Sequence, residues 1–562
     1  MKLSALTDFP DDARKLYTPE TMDKMMKQLK EAGVSRVCFQ YYGNQEYGYF
    51  WDHDARIYRA CVETAALMPN FSREYVKAAQ KYGMETVAVM RPQEQGVWLT
   101  YSPFYEEAVN GRGVDCLDGR MLITTKFLQE NPHLRIKRRS WDIDPDAQEK
   151  IICTIKLKKQ NNVHSRIKKD DITIYISPDN SNYHPYKGDF KISYSTEIAK
   201  NDSVISHFRK DYPSDTITKA GDIIEVMTIS GLEIKEKFIA VGVKCDKPAD
   251  KTVSFRNVSM NMISIYDCDG NEICSSPGSA VRAKPTGDPW LTSGFHFDDG
   301  FGNIFEILLD PAEKEGFIAI CKGKNEYAHG TLCACEPEVR EYWYKWLEKA
   351  MDDGYDLVGQ RVECHSMHVD EPLAFGYNDC IKAEYEKRHG QCSEEEMELD
   401  KIAQIRGDAY TLYFTECARR IRARGKKVIL NLNLEMLYDP VPAVREMAYP
   451  LNVQWQWEKW IEKMQPDEIN IRTYQMSPDF IFNDAKCMKI INKAIEYGAP
   501  MTLERYVYWD FAAEYEMVRD LGIFSRMTLY EVDEVIKSDG EGGITVEKPE
   551  LLAKLKKLTG EQ

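Results

Sequence analysis

The chain has 562 residues, of which 43% are hydrophobic, and it carries a formal net charge of -16. This acidity argues against non-specific binding of nucleic acid, which needs a basic surface. No run of 18 apolar residues occurs, so we predict neither a membrane span nor a membrane partner.

The N-terminus and the cysteines together favour a cytoplasmic protein. The first residues, MKLSALTDFPDDARKLY, lack the apolar segment of a signal peptide. The 15 cysteines are scattered and odd in number, and some of them, such as Cys38, Cys153 and Cys321, lie within apolar runs. We therefore predict buried free thiols in a reducing compartment. Cys333 and Cys335 are too close together and too isolated to form a zinc site alone.

Helix and strand patterns alternate in the N-terminal and C-terminal parts of the chain. Helix patterns at 19–32 and 71–82 each end at a glycine, and strands follow at 36–43 and 86–92. The alternation resumes with a strand at 316–323 and continues to a helix at 548–558. About eight strand–helix units result, which is the number that an eight-fold barrel requires.

A different pattern separates these two parts. From about residue 150 to residue 268, short alternating runs such as ITIYIS and FKISYS are divided by turn residues. This pattern is typical of antiparallel strands in a sandwich. We therefore predict an α/β fold, a (β/α)8 TIM barrel with an inserted antiparallel β-sandwich domain. Residues 1–142 and 311–562 would form the barrel, and residues 143–310 the insertion with a long loop.

The densest group of ionisable residues follows one strand. The buried run LVGQRVEC leads into a loop with His365, His368, Asp370 and Glu371, and a helix pattern comes next. Barrel enzymes carry their catalytic groups at the C-terminal ends of strands. Two histidines and a carboxylate can also bind a metal, but this spacing matches no strong signature. We therefore predict no metal and no cofactor, and keep a metal-dependent hydrolase as an alternative.

Three segments carry a resemblance to a known family. They are EPEVREYWYKWLEKAMDDGYDLVGQRVECHS (336–366), FGYNDCIKAEYEKRHG (375–390) and ENPHLRIKRR (130–139). With these segments the chain resembles glycoside hydrolase-like TIM-barrel proteins that are grouped with family 10-like sequences. The resemblance implies a (β/α)8 barrel that acts on carbohydrate. The chain departs from family 10 xylanases because no Asn-Glu pair stands at the fourth strand.

Glycoside hydrolysis generally uses two carboxyl groups, one on either side of the scissile bond. Glu504 is the first candidate for nucleophile or base, because it follows an apolar strand and Arg505 would keep it ionised. The alternative is a salt bridge at the rim. Asp370, Glu363 and Glu371 are the candidates for the proton donor. Asp370 and Glu371 could instead cap a helix, and Glu363 could belong to a structural ladder of ion pairs.

Arginines and aromatic residues form the predicted substrate-binding set. Arginine binds carboxylates well, so several arginines at one mouth would suit a uronic or sialic acid-type sugar. They could equally neutralise the acids of the mouth itself. Aromatic faces stack on sugar rings. The set consists of Arg91, Arg361, Arg472, Arg505, His365, Asn433, Tyr41, Trp51 and Trp509.

These observations predict a glycoside hydrolase with a carbohydrate substrate and carboxylate acid/base chemistry at the barrel mouth. The main alternative is a non-catalytic carbohydrate-binding protein on the same scaffold, since barrels host many functions. A metal-dependent hydrolase using His365, His368 and Asp370 is the third interpretation. The insertion could shape the cleft, bind sugar or join two copies in a homo-oligomer, and the sequence leaves these roles open.

Overall fold

The computed structural model describes most of the chain in ranges separated by gaps. The described residues are 1–8, 15–42, 63–64, 66–93, 96–100, 120–124, 126–160, 167–178, 184–200, 202–205, 215–244, 262–276, 306–308, 315–324, 326–362, 372–438, 452–473, 476–507 and 510–560.

Eight parallel strands close into a barrel, which confirms the predicted fold class. Each strand pairs with its neighbours in parallel, and the eighth pairs with the first. In chain order the first to the eighth barrel strands are Lys2–Thr7, Val34–Tyr42, Glu85–Arg91, Leu357–Gln360, Lys427–Asn433, Glu468–Arg472, Met501–Tyr506 and Arg526–Tyr530.

The first barrel strand was not among the predicted strands. The segment KLSALT is short, and it had served only as evidence against a signal peptide. The strand predicted at 316–323 had completed the count of eight. Glu315–Cys321 instead pairs antiparallel with Phe238–Lys244 in the insertion, so its assignment to the barrel was wrong.

The helices cover the outside of the barrel because one face of each is apolar. In Pro19–Glu31, for example, Met22, Met25, Met26 and Leu29 are buried at helical spacing. The Thr18 side chain caps this helix, and Gly33 follows its end with a φ of 91°. The α-helices of eight or more residues are Pro19–Glu31, Phe71–Lys81, Pro337–Asp353, Asp379–His389, Leu399–Ala423, Trp457–Met464, Ala485–Tyr497, Phe511–Leu521 and Pro549–Gly560.

The insertion consists of antiparallel sheets, as predicted. Two five-stranded sheets contribute to a single apolar cluster, which includes Ile155 and Ile229 from one sheet and Ile174 and Val241 from the other. The first sheet contains Lys191–Ile198, Ile223–Ile234, Ile152–Gln160, Met262–Tyr266 and Glu272–Ser276. The second contains Glu306–Leu308, Glu315–Cys321, Phe238–Lys244, Ile172–Ser177 and His184–Pro185.

A disulfide joins Cys153 to Cys268 within the first sheet. The two cysteines lie at the ends of neighbouring antiparallel strands, with their Cα atoms 5.0 Å apart. The prediction that the cysteines are free thiols is therefore wrong for this pair.

No helix in the described ranges has both the length and the apolar character needed to cross a membrane.

Inward-facing residues of the barrel form polar layers at both ends. At the N-terminal end, Nη1 of Arg36 lies 2.7 and 2.8 Å from the two carboxylate oxygens of Glu468. Thr502 donates to the same carboxylate, and Glu85 contacts both Arg36 and Arg526. Apolar side chains of Leu6, Cys38, Val87, Val89, Leu357 and Ile429 cluster inside the barrel. Charges in such an interior are tolerated because they are paired.

Candidate active site

Glu504 lies near the C-terminal end of the seventh barrel strand and faces the barrel interior. Met501 and Leu503 point to the outer core, so alternation turns Thr502 and Glu504 inward. The Glu504 side chain is 1% exposed. The C-terminal mouth is where barrel enzymes perform their chemistry, so this buried carboxylate is the natural centre of a site.

Three donor groups surround the Glu504 carboxylate. Nη2 of Arg361 lies 2.7 Å from Oε1 and 2.8 Å from Oε2. Nδ2 of Asn470 donates to Oε2 at 2.9 Å, and Nε of Arg472 lies 2.9 Å from Oε1. Two guanidinium groups therefore share one carboxylate. Oε2 accepts hydrogen bonds from Arg361 and Asn470, and Oε1 accepts one from Arg361 and has Arg472 beside it as an ion-pair partner.

A chain of polar contacts leads from this cluster to the first barrel strand. With its amide oriented to satisfy these neighbours, the Gln40 oxygen accepts from Arg361 at 3.0 Å and from the Tyr530 hydroxyl at 3.1 Å. The Tyr530 hydroxyl also lies 3.2 Å from a carboxylate oxygen of Asp8. Asp8 is buried and follows directly after the first strand. The chain thus connects Glu504 to a second buried acid through the second and eighth strands.

Two tyrosines inside the barrel pack against the arginines. The rings of Tyr506 and Tyr530 are 4.4 Å apart, and the Arg472 guanidinium lies 4.6 Å from the Tyr530 ring centre. Arg472 also donates to the Tyr506 hydroxyl at 2.6 Å. Burial raises the pKa of Tyr530 well above its usual value of about 10, so this hydroxyl stays protonated at neutral pH. These contacts hold Arg472 in the position from which it reaches Glu504.

Glu435 is a third buried acid at the same end of the barrel. It follows the fifth strand, accepts a hydrogen bond from Thr473 at 2.8 Å, and its backbone N–H donates to the side chain of Asn433 at 2.9 Å. Asn433 is thus placed at the mouth, as its position at a strand end predicted. The sequence-based predictions gave Glu435 no role.

The structure places two predicted substrate-binding residues away from the mouth. Tyr41 faces outward, is fully buried in the outer core, and its hydroxyl donates to Asp353 at 3.4 Å. Arg505 also faces outward and pairs with Glu514 of the helix Phe511–Leu521, at 2.7 and 2.8 Å. Both positions follow from alternation, because the inward-facing neighbours are Gln40 and Glu504. Neither side chain can contact a substrate in the barrel, and Arg505 does not contact Glu504 as proposed.

The remaining predicted arginine is at the mouth. Arg91 ends the third strand, is fully buried and shares the inward register of Val87 and Val89. Its positive charge is near Tyr530, since it partly offsets the rise in that pKa. The structure therefore brings Arg91, Arg361, Arg472 and Glu504 together.

The other predicted site residues lie outside the described residues. These are Glu363, His365, His368, Asp370, Glu371, Trp51 and Trp509. No group of three or more potential metal ligands of the His, Cys, Asp or Glu type is found in the described ranges. The metal-dependent alternative, which uses His365, His368 and Asp370, therefore stays a sequence-based hypothesis.

Asp8, Gln40, Tyr506 and Tyr530 are site residues to which sequence reasoning gave no role. Asp8 was missed because the first barrel strand was missed. The signal that finds them is alternation. Every second residue from an inward-facing residue also faces inward, and this rule selects all four.

Comparisons with known proteins give remote likenesses. No protein-family model matches the chain, and no curated protein matches it significantly. A β-galactosidase from the psychrophilic Marinomonas ef1 is 8% identical, with a TM-score of 0.41 over 100% of this chain and 59% of its own. Trehalose-6-phosphate hydrolase from Bacillus licheniformis is 9% identical, with a TM-score of 0.31 over 95% and 65%.

A third solved structure is the glycoside hydrolase domain of PelA from Pseudomonas aeruginosa. It is 10% identical, with a TM-score of 0.21 over 38% of this chain and 69% of its own. At these scores the likenesses carry no weight for an activity, and the family 10-like resemblance stays a prediction. The chain spans less than two thirds of the β-galactosidase and of the trehalose-6-phosphate hydrolase.

Proposed function

We propose that the protein is a glycoside hydrolase in which Glu504 is the catalytic nucleophile or base. The observation that carries this proposal is the burial of Glu504 in the mouth end of the barrel, beside two arginines and one asparagine. Glycoside hydrolysis needs such a carboxylate beside the scissile bond, and Arg361, Asn470 and Arg472 fix the position of this one.

The contacts of Glu504 also set a condition on catalysis. Arg361 contacts both of its oxygens, so this arginine has to shift before a substrate atom can reach either oxygen closely. Arg361 is the donor we expect to move, because the Gln40 amide oxygen is a second acceptor within its reach. A sugar hydroxyl or carboxylate at the mouth could bind Arg361 and release one Glu504 oxygen.

We assign the proton donor to Asp370 or Glu363, with Glu371 as the other candidate, as the sequence predicts. By alternation from Arg361, Glu363 would share the inward side of the fourth strand. Asp8 and Glu435 are the further buried acids at the mouth, and they become the candidates if the sequence-based ones are replaced without effect.

The class of sugar is a finer part of the proposal. The contacts of Arg361 and Arg472 with Glu504 support the interpretation that arginines neutralise the acids of the mouth itself. A uronic or sialic acid-type substrate is therefore only one possibility, and the experiment below compares carboxylated with neutral sugars. The cytoplasmic location stays a prediction, and the Cys153–Cys268 disulfide weighs against it, since such bonds persist in oxidising compartments.

A turnover screen tests the proposal. Nitrophenyl and methylumbelliferyl glycosides, neutral and carboxylated, are offered to the wild type, to Glu504→Gln and to Glu514→Gln. Glu514→Gln removes an arginine-paired carboxylate outside the barrel interior and is the matched control. We expect turnover of one sugar class, lost by about 10²–10⁴-fold in Glu504→Gln only. Equal activity of Glu504→Gln and wild type would refute the assignment.

The contacts of Glu504 with its arginines favour one second candidate, a non-catalytic carbohydrate-binding protein. In that case Glu504 only fixes the arginines, and a sugar binds between the mouth residues without being cleaved. Absence of turnover on every glycoside, together with a rise in Tm caused by a free sugar, would support this second function.

A further inference from the structure

Three cysteines meet in a small core beside the barrel. Cys333 is fully buried in an apolar cluster with Phe375, Tyr377 and Ile381, and Cys335 and Cys380 are half-buried and pack against the same cluster. Cys333 and Cys335 precede the helix Pro337–Asp353, and Cys380 begins the helix Asp379–His389. The two helices flank the fourth barrel strand in the chain, and Arg361 follows that strand.

One short stretch of chain holds both sides of this cluster in place. The carbonyl of Leu134 accepts from the backbone N–H of Cys333 at 2.8 Å. Asn378, two residues before Cys380, donates to the Arg135 carbonyl at 2.8 Å and accepts from the Lys137 N–H at 2.9 Å. The backbone around Cys333 and the start of the helix with Cys380 are therefore tied to the same stretch of chain, Leu134 and the strand Arg135–Lys137 that follows it.

The three thiols are neighbours in this cluster, and each affects the pKa of the others. Hydrogen bonds from Cys335 and Cys380 lower the pKa of Cys333 well below its usual value, and the charge of Arg406 acts in the same direction. The thiolate is the reactive form of cysteine in disulfide chemistry.

We propose that Cys333 and Cys380 form a redox-active disulfide site, with Cys335 as the third thiol beside them. Nothing in the proposed glycosidase chemistry requires this site, so it is independent of that function. The Cys153–Cys268 disulfide indicates that the chain is compatible with an oxidising environment.

A small-molecule disulfide is the oxidant, and the reaction balances in two exchanges. In the first exchange, half-buried Cys380 passes its proton to the neighbouring Cys333 thiolate as its sulfur bonds to one half of the oxidant, and the other half leaves as a thiolate. In the second, the Cys333 sulfur attacks Cys380, and the remaining half leaves as a thiol with the Cys333 proton. Two protein sulfurs are oxidised, and one small disulfide is reduced to a thiolate and a thiol.

The bond would connect the starts of the two helices that flank the fourth strand. The chain between Cys333 and Cys380, which the bond would close into a loop, contains the helix Pro337–Asp353, the strand Leu357–Gln360 and Arg361. A covalent link across a segment of this length restricts the unfolded chain and stabilises the native state. We therefore expect the oxidised form to unfold at a higher temperature than the form reduced at these cysteines alone.

The test is disulfide mapping of the whole protein after equilibration with oxidised and reduced glutathione. Free thiols are alkylated, and peptides are identified by mass without reduction. We expect a Cys333–Cys380 peptide pair in oxidising mixtures, in addition to the Cys153–Cys268 pair, and its loss in reducing mixtures. Wild-type protein suffices for this result, so a poorly folded variant does not obstruct it.

Two variants test whether Cys380 forms the new bond. Cys380→Ser should lose the new pair, whereas Cys392→Ser, altered at another half-buried cysteine on the same cluster, should keep it. Alkylation of Cys333, Cys335 and Cys380 as free thiols when Cys153–Cys268 is oxidised would overturn the proposal. A Cys333–Cys335 bond would overturn it as well, and so would zinc that copurifies and protects the three thiols.

Discussion

The two ends of the barrel interior hold similar ion pairs in different surroundings. At the N-terminal end, Arg36 approaches both oxygens of Glu468 at 2.7 and 2.8 Å. At the C-terminal end, Arg361 approaches both oxygens of Glu504 at the same distances. Near Glu468, two arginines are matched by two carboxylates, since Glu85 contacts Arg36 and Arg526. Near Glu504, two arginines share one carboxylate.

This difference separates a structural ion pair from a candidate catalytic one. Pairing alone identifies neither, because both carboxylates are buried and both contact an arginine. The mouth end adds Tyr506 and Tyr530 beside Arg472, and a path of polar contacts from Arg361 to Asp8. In barrel proteins the N-terminal end serves stability and the C-terminal end serves function. The comparison therefore predicts that the two ends respond to similar substitutions in different ways.

The largest expected effect on stability comes from Glu468→Ala. It leaves the Arg36 guanidinium buried without its closest carboxylate, which costs about 3–5 kcal/mol for a buried pair. Urea unfolding followed by circular dichroism measures the loss. Glu20→Ala is the control, because the Lys24–Glu20 pair is exposed and should cost less than about 1 kcal/mol. Equal losses in the two variants would contradict a structural role for the Arg36–Glu468 pair.

Replacing the arginines by lysine compares the two ends directly. Arg361→Lys and Arg36→Lys keep the charge but lose the planar guanidinium, and each should lose about 1.5–3 kcal/mol of stability through weakened charged hydrogen bonds. Only Arg361→Lys should also lower kcat/KM, because only Arg361 contacts Glu504. If both variants kept wild-type kcat/KM at full folding, Arg361 would have no role in turnover.

Two tyrosines make a smaller comparison between the inside and the outside of the barrel. The Tyr530 hydroxyl contacts Gln40 and Asp8 inside, and the Tyr75 hydroxyl contacts Thr7 and the Cys38 carbonyl outside. Each phenylalanine variant should lose about 1–2 kcal/mol of stability. Only Tyr530→Phe should change substrate kinetics. A matching change in the kinetics of Tyr75→Phe would show that the effect arises from general destabilisation.

The smallest expected effect is on stability at high pH. Burial raises the pKa of Tyr530 above that of an unfolded tyrosine. The folded state thus binds this proton more tightly, so the contribution of Tyr530 is complete below about pH 10 and is lost as the pH rises further. Tyr530→Phe should therefore lose less stability than the wild type between neutral pH and pH 11. Parallel stability curves for the two proteins would contradict the raised pKa.

The sequence predicts the barrel well because apolar strands and amphipathic helices leave strong periodic signals. It failed at Lys2–Thr7 and Glu315–Cys321, since both runs are short and apolar and only their pairing partners reveal the sheet to which they belong. A local pattern carries no information about a partner that is distant in the chain.

The site was predicted in part for a related reason. Glu504, Arg361, Arg472, Arg91 and Asn433 were identified from their positions at strand ends. Tyr41 and Arg505 were misassigned because proximity to a strand end does not determine which side of the strand a residue faces. Alternation along the strand determines which residues face inward, but it can be applied only when one inward-facing residue of that strand is known. The contact of Gln40 with Tyr530 joins strands that are far apart in the chain, so no local sequence pattern predicts it.

The central claim is that Glu504 is catalytic and Glu468 is structural, and one paired measurement tests it most directly. Glu504→Gln and Glu468→Gln are compared by kcat/KM on the glycoside that the wild type cleaves, with the folded fraction of each determined by circular dichroism. The account predicts a loss of about 10²–10⁴-fold for Glu504→Gln and near wild-type turnover per folded molecule for Glu468→Gln. Equal turnover per folded molecule in the two variants would contradict it.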